Sequence, residues 1–369
     1  MMIDRSIYIH VPFCKKKCHY CDFFSITTLD DTTILHYVEK CKKEIIQFAK
    51  KYPDTLIKTI YFGGGTPSLL SSKYIGEILN IIKAEFHTSS EETTIEVNPA
   101  TSIDWEKYAQ MGFNRISIGV QSLDDNVLKK LGRLHNSEVA LNAVKEAGNY
   151  FDNISCDLII GTPFDPSITV LGNHIDLLAR YVKHFSIYIL TVAEDTKMFD
   201  YILLNKYTML EDNLISDVYY SISSKLKSLE FNKYEVSNFA KAGCQSKHNL
   251  GYWNKRDYFG VGPSASSYVN GVRFLVSPTG YFNVTETSYK VESVLTQADD
   301  MFEHIMLGFR LTEGFSIGDF NKKFNVDFRK TYEKAITKNS EFLSIFNDRI
   351  FIKDKYILIM NSIILDFMS

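Results

Sequence analysis

The sequence lacks long hydrophobic runs, a strong excess of either charge and a recognisable leader. No run of eighteen or more apolar residues occurs, so we expect no membrane-spanning helix. The net charge of −3 and the pI of about 6.3 do not favour nucleic acid as a partner. The first residues contain no basic segment followed by an apolar stretch, so we expect no signal peptide and a cytoplasmic location.

Cysteine is scarce, with six in the chain, and in a reducing cytoplasm these residues are not expected to form disulfides. Cys41, Cys156 and Cys244 are far apart in the sequence, and each is expected to be a small, buried core residue. The other three lie close together in the stretch VPFCKKKCHYCDFF. Clustered thiols in such a protein indicate a metal site or catalysis.

Short apolar runs alternate with amphipathic stretches over the first 190 residues. Helical periodicity between the runs predicts parallel strands joined by right-handed helical crossovers. Six such units are two fewer than a closed eight-stranded barrel requires, so the sequence predicts an α/β fold with a partial (βα)6 barrel. The strand candidates cover 6–11, 57–62, 93–97, 115–118, 154–160 and 185–190.

The pattern changes after about residue 200. A segment rich in Gly, Asn and aromatic residues is expected to be loop-rich, and the remaining sequence predicts helices and a hairpin in a small winged-helix-like α+β module. We therefore expect a barrel domain over 1–235, a connecting segment over 236–295 and a C-terminal domain over 296–369. Balanced charge in the last of these argues against a DNA-binding face.

The spacing C-x3-C-x2-C of Cys14, Cys18 and Cys21 is the strongest local signal. In a tight loop it can supply thiolates to three corners of a [4Fe–4S] cluster and leave the fourth iron open to a small molecule. Zinc is the alternative, with His10 or His19 completing a Cys3His site. The absence of a second cysteine pair favours the cluster. Other unusual stretches follow the predicted strands: GGGTP, NP, GVQS and GTP, all expected at one edge of the barrel.

The cysteine loop followed by GGGTP resembles the radical S-adenosylmethionine (SAM) superfamily. The resemblance implies that the three thiolates hold the cluster and that the amino and carboxylate groups of SAM bind the open iron. More narrowly, the chain is similar to the oxygen-independent coproporphyrinogen III oxidase group and, within it, to its haem chaperone branch. The stretches that carry this likeness are YIHVPFC, IYFGGGTPSLL, IEVNP, NRISIGVQSLDDNVLKKLGRLH, DLIIGTP and KHNLGYWNKRDYFGVGPSA.

The same resemblance implies a SAM site at the strand ends. Tyr20 would pack near the adenine, and the glycine-rich turn would let backbone approach the amino group. Glu96 would accept a hydrogen bond from SAM, and Arg133 would pair with the SAM carboxylate. Asp157 would accept hydrogen bonds from the ribose hydroxyls, because a buried acid in an apolar strand needs a partner. The full set implied for SAM is Tyr8, Tyr20, Gly64, Gly65, Thr66, Glu96, Gln121, Arg133, Asp157 and Thr191.

The segment KHNLGYW implies haem as bound cargo. His248 is a candidate axial ligand to haem iron, and Tyr252 and Trp253 could pack on the macrocycle. A histidine satisfied within an aromatic core is the alternative interpretation. The implied partners are haem-requiring respiratory proteins, reached through transient membrane association at most.

Two departures from the oxidases argue against decarboxylation of coproporphyrinogen III. Those enzymes resemble the pattern C-x3-C-x2-C-x-C, and Phe23 occupies the position of its fourth cysteine. They also have an N-terminal extension before the first strand, for which this sequence leaves no room because its first predicted strand begins near residue 6. Three hypotheses therefore remain: a haem chaperone dependent on SAM and the cluster, a radical enzyme of porphyrin metabolism, and a zinc-bound interaction module.

Overall fold

The computed structural model describes residues 2–283 and 287–368. Within these ranges no helix is both long and apolar enough to cross a membrane. The strands are β1 (Ile3–Val11), β2 (Thr55–Gly64), β3 (His87–Val97), β4 (Arg115–Gln121), β5 (Ile154–Ile160), β6 (His184–Ile189), β7 (Asn232–Lys233), β8 (Asn238–Ala240), β9 (Tyr258–Val261), β10 (Ser266–Val269), β11 (Val272–Val276), β12 (Tyr289–Val294), β13 (Phe315–Ser316), β14 (Leu343–Phe346) and β15 (Arg349–Ile352).

The helices lie between and after these strands, together with 3-10 turns at Pro67–Leu69 and Asp354–Ile359. They are α1 (Asp31–Lys51), α2 (Ser72–Glu85), α3 (Trp105–Met111), α4 (Asp125–Leu131), α5 (Ser137–Ala147), α6 (Ile168–Leu178), α7 (Lys197–Leu203), α8 (Asp212–Ser228), α9 (Lys247–Trp253), α10 (Gln297–Gly308), α11 (Ile317–Phe324), α12 (Phe328–Thr331), α13 (Glu333–Lys338) and α14 (Met360–Leu365).

The six strands predicted in the first half are β1 to β6, and they pair in parallel in chain order. The sheet runs from β12 at one edge to β7 at the other, so it remains open as an incomplete barrel. The predicted α/β class with a partial barrel is confirmed. Helices cover the outer face, where alternate strand residues such as Ile7, Phe62 and Ile118 are fully buried.

The other strand residues are polar and face the inside of the partial barrel. Because side chains alternate between the two faces of a strand, this second set forms one continuous inner surface. Both faces are therefore largely buried, one in an apolar core and one among hydrogen-bonded groups. The inner set is Ser6, Tyr8, His10, Thr59, Tyr61, Glu92, Thr94, Glu96, Arg115, Ser117, Ser155, Asp157, His184, Ser186 and Tyr188.

The segment over 236–295 contains more regular structure than its composition predicts. β9 pairs in parallel with β1, and β10 to β12 continue the sheet as antiparallel neighbours. Gly260 shows why glycine is needed here, because an added Cβ would lie 2.1 Å from the carbonyl oxygen of Ser266. Gly260 thus marks a place where two strands pack too closely for a side chain. The ranges predicted for the three domains stay a prediction.

The C-terminal part holds a small sheet in the order β13-β15-β14 beside helices α10 to α14. The predicted hairpin is present as β14 and β15, and the chain then turns into a 3-10 helix at Asp354–Ile359. Its core is a cluster of aromatic rings at 4.6–6.3 Å between centroids: Phe315, Phe320, Phe324, Phe328, Tyr332 and Phe367. This agrees with the small α+β module expected from the sequence.

Replacing Gly314 by alanine should strongly destabilise this module. Gly314 has a φ of +60°, and an added Cβ would lie 1.8 Å from the carbonyl oxygen of Ile350. Gly271 offers a matched control, because its φ is +80° but no heavy atom lies within 4 Å of the added Cβ. In urea unfolding we expect Gly271→Ala to cost about 1 kcal/mol and Gly314→Ala at least about 3 kcal/mol. Equal losses would show that the steric contact is unimportant.

Candidate functional site

The loop that carries the three clustered cysteines is fixed at its base. The backbone N–H of Cys14 donates to the carbonyl of Ile26 at 2.9 Å, and that of Ile26 donates to Pro12 at 2.8 Å. In the middle of the loop, the N–H of His19 donates to the carbonyl of Leu131 at 3.0 Å at the end of α4. The loop after β1 is therefore held from both sides.

All three cysteines border one cavity of about 460 Å³ at the C-terminal ends of the strands. The turn after β2 and the ends of β3 to β6 provide the remaining walls. Nine of the ten residues predicted to contact SAM also border it: Tyr20, Gly64, Gly65, Thr66, Glu96, Gln121, Arg133, Asp157 and Thr191.

Tyr8, the tenth predicted SAM contact, is not among the described residues that border this cavity. Its hydroxyl shares a hydrogen bond of 3.2 Å with Nδ1 of His10, and its ring packs beside Tyr61 at 6.0 Å. The other ring nitrogen of His10 is 2.8 Å from the carbonyl oxygen of Phe24. His10 is thus held by protein groups on both nitrogens, which does not support the sequence alternative of His10 as a zinc ligand.

Polar groups approach the thiols directly. Oγ1 of Thr66 is 3.5 Å from Sγ of Cys14, and one terminal nitrogen of Arg133 donates to Sγ of Cys18 at 3.4 Å. The other terminal nitrogen of Arg133 donates to the carbonyl of Gly119 at 2.9 Å, while its Nε is buried without a partner. A guanidinium at this position favours negative charge on the sulfurs.

Burial raises the pKa of the Cys14 thiol and raises that of Cys21 to about 11. A bound cluster would reverse this preference, because its positive charge favours thiolates. In the described parts of the chain, no three His, Cys, Asp or Glu side chains converge closely enough to hold a single metal ion. Three thiols around one cavity are the ligands that a [4Fe–4S] cluster with one open iron requires.

The turn after β2 needs glycine for two reasons. Gly64 has a φ of +106°, and an added Cβ would lie 2.6 Å from the ring of His10. The N–H of Gly65 donates to the carbonyl of Val11 at 2.8 Å, and a Cβ there would meet the backbone of Pro12 at 2.9 Å. The glycines therefore bring the end of β2 against the base of the cysteine loop.

Two carboxylates form the opposite wall of the cavity. Glu96 accepts hydrogen bonds from the hydroxyl of Tyr61 at 2.8 Å and from the N–H of Gly64 at 3.2 Å. Burial, with a smaller effect of nearby Asp157, raises the pKa of Glu96 to about 7. Asp157 accepts from the hydroxyl of Ser117 at 3.0 Å, and burial raises its pKa as well. These oxygens are suited to accept hydrogen bonds from hydroxyl or ammonium groups of a ligand.

Tyr188 and Ser117 are site residues that sequence reasoning missed. Tyr188 borders the cavity beside Asp157, and Ser117 supports that carboxylate from the neighbouring strand. The available signal was the two-residue alternation in RISI and FSIYIL, where polar residues occupy every second position.

The three predicted haem residues lie on α9, apart from this cavity. His248 is 1% exposed, and its Nδ1 is 2.8 Å from Oγ1 of Thr59 while its Nε2 is 2.9 Å from the hydroxyl of Tyr252. Burial lowers the pKa of His248 to about 3, so the ring is neutral. Arg310 lies over the ring of Trp253 at 5.7 Å. Haem ligation by His248 stays a prediction, and it requires the hydrogen bond to Tyr252 to break.

Comparison with known proteins identifies the family. A model described as the radical SAM superfamily matches residues 8–170, and one described as the HemN C-terminal domain matches 295–355. The heme chaperone HemW of Lactococcus lactis subsp. lactis (strain IL1403) is 32% identical over 354 residues, which covers 94% of this chain and 92% of that protein. The chain belongs to the HemW family.

A second relative in the HemW family, from Bacillus subtilis (strain 168), is 32% identical over 91% of this chain and 93% of its own length. Among solved structures, coproporphyrinogen III oxidase (HemN) from Escherichia coli, described as a radical SAM enzyme, superposes with a TM-score of 0.85 at 17% identity. That superposition covers 100% of this chain and 91% of the oxidase. At this identity the match shows a shared fold.

Membership of the radical SAM superfamily implies a [4Fe–4S] cluster and SAM as cofactors. The cavity of this HemW-family chain fits both groups. Three thiols, a buried guanidinium with an unpaired Nε and two carboxylates lie around one space. The assignment of individual residues to cluster and SAM remains a proposal.

Single replacement of Cys14, Cys18 or Cys21 by alanine should abolish the cluster. Each replacement removes one of the three thiolate ligands of the cluster. No other described cysteine borders the cavity and could replace the lost ligand. After anaerobic reconstitution we expect iron and sulfide contents near zero in each variant. Cys244→Ala, which removes a thiol outside the cavity, should keep wild-type contents. Iron retained in all three variants would disprove this assignment.

Stability should fall with rising pH because of Glu96. Its pKa in the folded chain is about 7, above the ordinary 4.5, so between these values the folded chain keeps a proton that the unfolded chain has lost. The free energy of unfolding therefore decreases as the pH rises from about 4.5 to about 7. Urea unfolding across this range should show a smaller decrease for Glu96→Gln than for the wild type. Glu106→Gln, which replaces an exposed glutamate on α3, is the control and should keep the wild-type slope. An unchanged pH slope in Glu96→Gln would contradict the prediction.

Proposed function

We propose that the chain is a haem chaperone that binds a [4Fe–4S] cluster and SAM and delivers haem to respiratory haem proteins. The observation that carries this proposal is the identity of about one third, over nearly the whole chain, to proteins named heme chaperone HemW. The cavity with three thiols supports the cofactor part, and the segment KHNLGYW supports the cargo part.

In this proposal Cys14, Cys18 and Cys21 would hold the cluster through their thiolates, which would leave one iron open to SAM. When bound, the cluster can supply an electron to the sulfonium of SAM. Arg133 places positive charge beside Cys18 and the SAM carboxylate, and its unpaired Nε is free to donate. Glu96 accepts from SAM at the β3 end. The remaining contacts are Tyr20, Gly64, Gly65, Thr66, Gln121, Asp157, Thr191 and, behind the cavity wall, Tyr8.

Haem binds at α9 in this proposal, with His248 as the iron ligand and Tyr252 and Trp253 against the macrocycle. Because His248 is buried and paired on both ring nitrogens, α9 has to rearrange before iron can reach Nε2. Neutral imidazole, which the lowered pKa of His248 maintains, is the form that ligates iron. A cytoplasmic location with transient contact to membrane-associated clients belongs to the same proposal.

A radical enzyme of porphyrin metabolism is the second candidate function. The cavity supports it, because carboxylates, a guanidinium and a glycine turn surround the space more completely than a purely structural ligand requires. Phe23 speaks against oxidase activity. Phe23 borders the cavity and is 58% exposed. It occupies the sequence position of the extra cysteine in the oxidases that this chain resembles.

An anaerobic haem titration of the cluster-loaded protein tests the proposal. We expect stoichiometric binding with a shifted Soret band in the wild type, and loss of that shift in His248→Ala because the iron ligand is gone. His87→Ala, at the exposed start of β3, is the matched control and should bind like the wild type. If the wild type binds no haem, the chaperone proposal fails, and conversion of a porphyrinogen with SAM and a reductant becomes the next assay.

A Tyr252→Phe variant sharpens the same titration. It removes the hydroxyl that occupies Nε2 of His248 while keeping the ring. Breaking one buried hydrogen bond costs about 0.5–1.5 kcal/mol, so its absence should tighten haem binding by about 2-fold to 12-fold. If both variants bind haem as tightly as the wild type, the protein binds haem but a residue other than His248 ligates the iron.

A further inference from the structure

A chain of hydrogen bonds crosses the inside of the barrel from the cavity to α9. Asp157 borders the cavity, and the hydroxyl of Ser155 donates to its carboxylate at 3.4 Å. The same hydroxyl oxygen is 2.7 Å from Nδ1 of His184, whose Nε2 is 2.8 Å from the hydroxyl of Tyr234. We call Asp157, Ser155, His184 and Tyr234 the polar relay.

Beyond Tyr234, the polar relay reaches Ser246, the N-cap residue of α9. The backbone N–H of Ser246 donates to the hydroxyl oxygen of Tyr234 at 3.1 Å. The side chain of Ser246 in turn accepts from the N–H of Asn249 at 3.3 Å and so caps α9. His248 lies two residues further on, which joins the relay to the residue proposed to ligate haem.

Asp157 can only accept, and the hydroxyl of Ser155 lies between its carboxylate at 3.4 Å and Nδ1 of His184 at 2.7 Å. A terminal nitrogen of Arg115 also approaches Nδ1 of His184 at 3.4 Å. Burial and, to a smaller extent, Arg115 lower the pKa of His184 well below its usual value, so the ring is neutral, and one of its nitrogens donates while the other accepts. Each bond thus polarises the next, and a change at Asp157 alters the whole row.

A second contact holds α9 independently of the cavity. The carboxylate of Glu92 accepts from the N–H of Lys247 at 2.7 Å and from the N–H of His248 at 3.0 Å. Glu92 is 3% exposed and does not border the cavity. It therefore fixes the helix in place, whereas Tyr234 connects the helix to a group that SAM would contact.

We propose that Tyr234 is a positioning residue that transmits the occupancy of the SAM cavity to α9 and thereby to His248. A ligand that donates a hydrogen bond to Asp157 competes with Ser155 for the same oxygens. The row of bonds then weakens or shifts, and the hold of Tyr234 on Ser246 changes with it. The inference rests on the proposed function in that SAM occupies the cavity, but it can be tested without haem.

Trp253 at the end of α9 provides the readout. The chain has two tryptophans, so a Trp105→Phe background leaves Trp253, on the helix under study, as the single tryptophan. SAM is titrated onto this cluster-loaded protein with excitation where adenine does not absorb. We expect a saturable change in Trp253 emission. Tyr234→Phe and Ser155→Ala, which cut the polar relay at two separate links, should abolish the change. In Tyr234→Phe, which leaves the surroundings of Asp157 intact, SAM affinity should stay within about threefold.

Tyr219→Phe is the matched control. Its buried hydroxyl donates to the carbonyl of Val236 at 2.7 Å and is not part of the polar relay, so the emission change should persist. Full emission change in Tyr234→Phe, or none in the background at saturating SAM, would overturn the inference. Loss of SAM binding in Tyr234→Phe would also overturn it, since Tyr234 would then act on the cavity itself.

A haem titration of the same proteins separates this inference from the proposed function. We expect SAM to alter the haem dissociation constant in the background but not in Tyr234→Phe. If the background binds no haem yet its Trp253 emission still responds to SAM through Tyr234, the chaperone proposal fails and the connection to α9 stands. If haem binds and SAM changes neither signal, the connection fails alone.

Discussion

The structure depends on one constraint: the inside of the barrel is polar and buried, so every group there needs a partner. An unpaired polar group in such a place costs about 1–3 kcal/mol, which a marginally stable chain cannot tolerate many times. The chain meets most of this requirement by pairing side chains across strands and onto α9, while Oγ1 of Thr94 and Nε of Arg115 are buried without a partner. Thr59, for example, donates to Ser6 and lies 2.8 Å from His248, so one hydroxyl joins β1, β2 and α9. The helix is therefore a structural partner of the inner surface.

The same constraint explains where the cavity lies. At the C-terminal strand ends the inner surface is no longer covered by a helix, and its acceptors face open space. Glu96 and Asp157 have their pKa raised by burial because the protein supplies few positive groups to them. A ligand with ammonium and hydroxyl donors would satisfy both, and the cysteine loop beside them would hold the inorganic part. Thus the end of the barrel at the C-terminal strand ends presents acceptors to the cavity, whereas α9 closes the other end.

The sequence was sufficient for the parts of the molecule that depend on local pattern. The six parallel strands, the cysteine loop and the nine predicted SAM contacts that border the cavity followed from periodicity and from family motifs. What could not be predicted depends on partners distant in the chain. Glu92 looks like an ordinary strand acid until its contact with Lys247, 155 positions later, is seen. Likewise, the addition of β9 beside β1 depends on strand pairing between segments about 250 residues apart, and composition alone suggested loops.

The pairing of His248 bears on how a chaperone could release its cargo. Under the proposed ligation, haem iron and the hydroxyl of Tyr252 would compete for Nε2 of His248, so the ligated and the paired states of His248 would exclude each other. The affinity for haem is then reduced by the free energy needed to open the paired state, a few kcal/mol for two buried hydrogen bonds and the displaced helix. A protein built to store haem would gain nothing from this cost. For a protein that hands haem on, re-formation of the bonds from His248 to Thr59 and Tyr252 would favour release. The buried, fully paired histidine is therefore compatible with a transfer function under the proposed ligation.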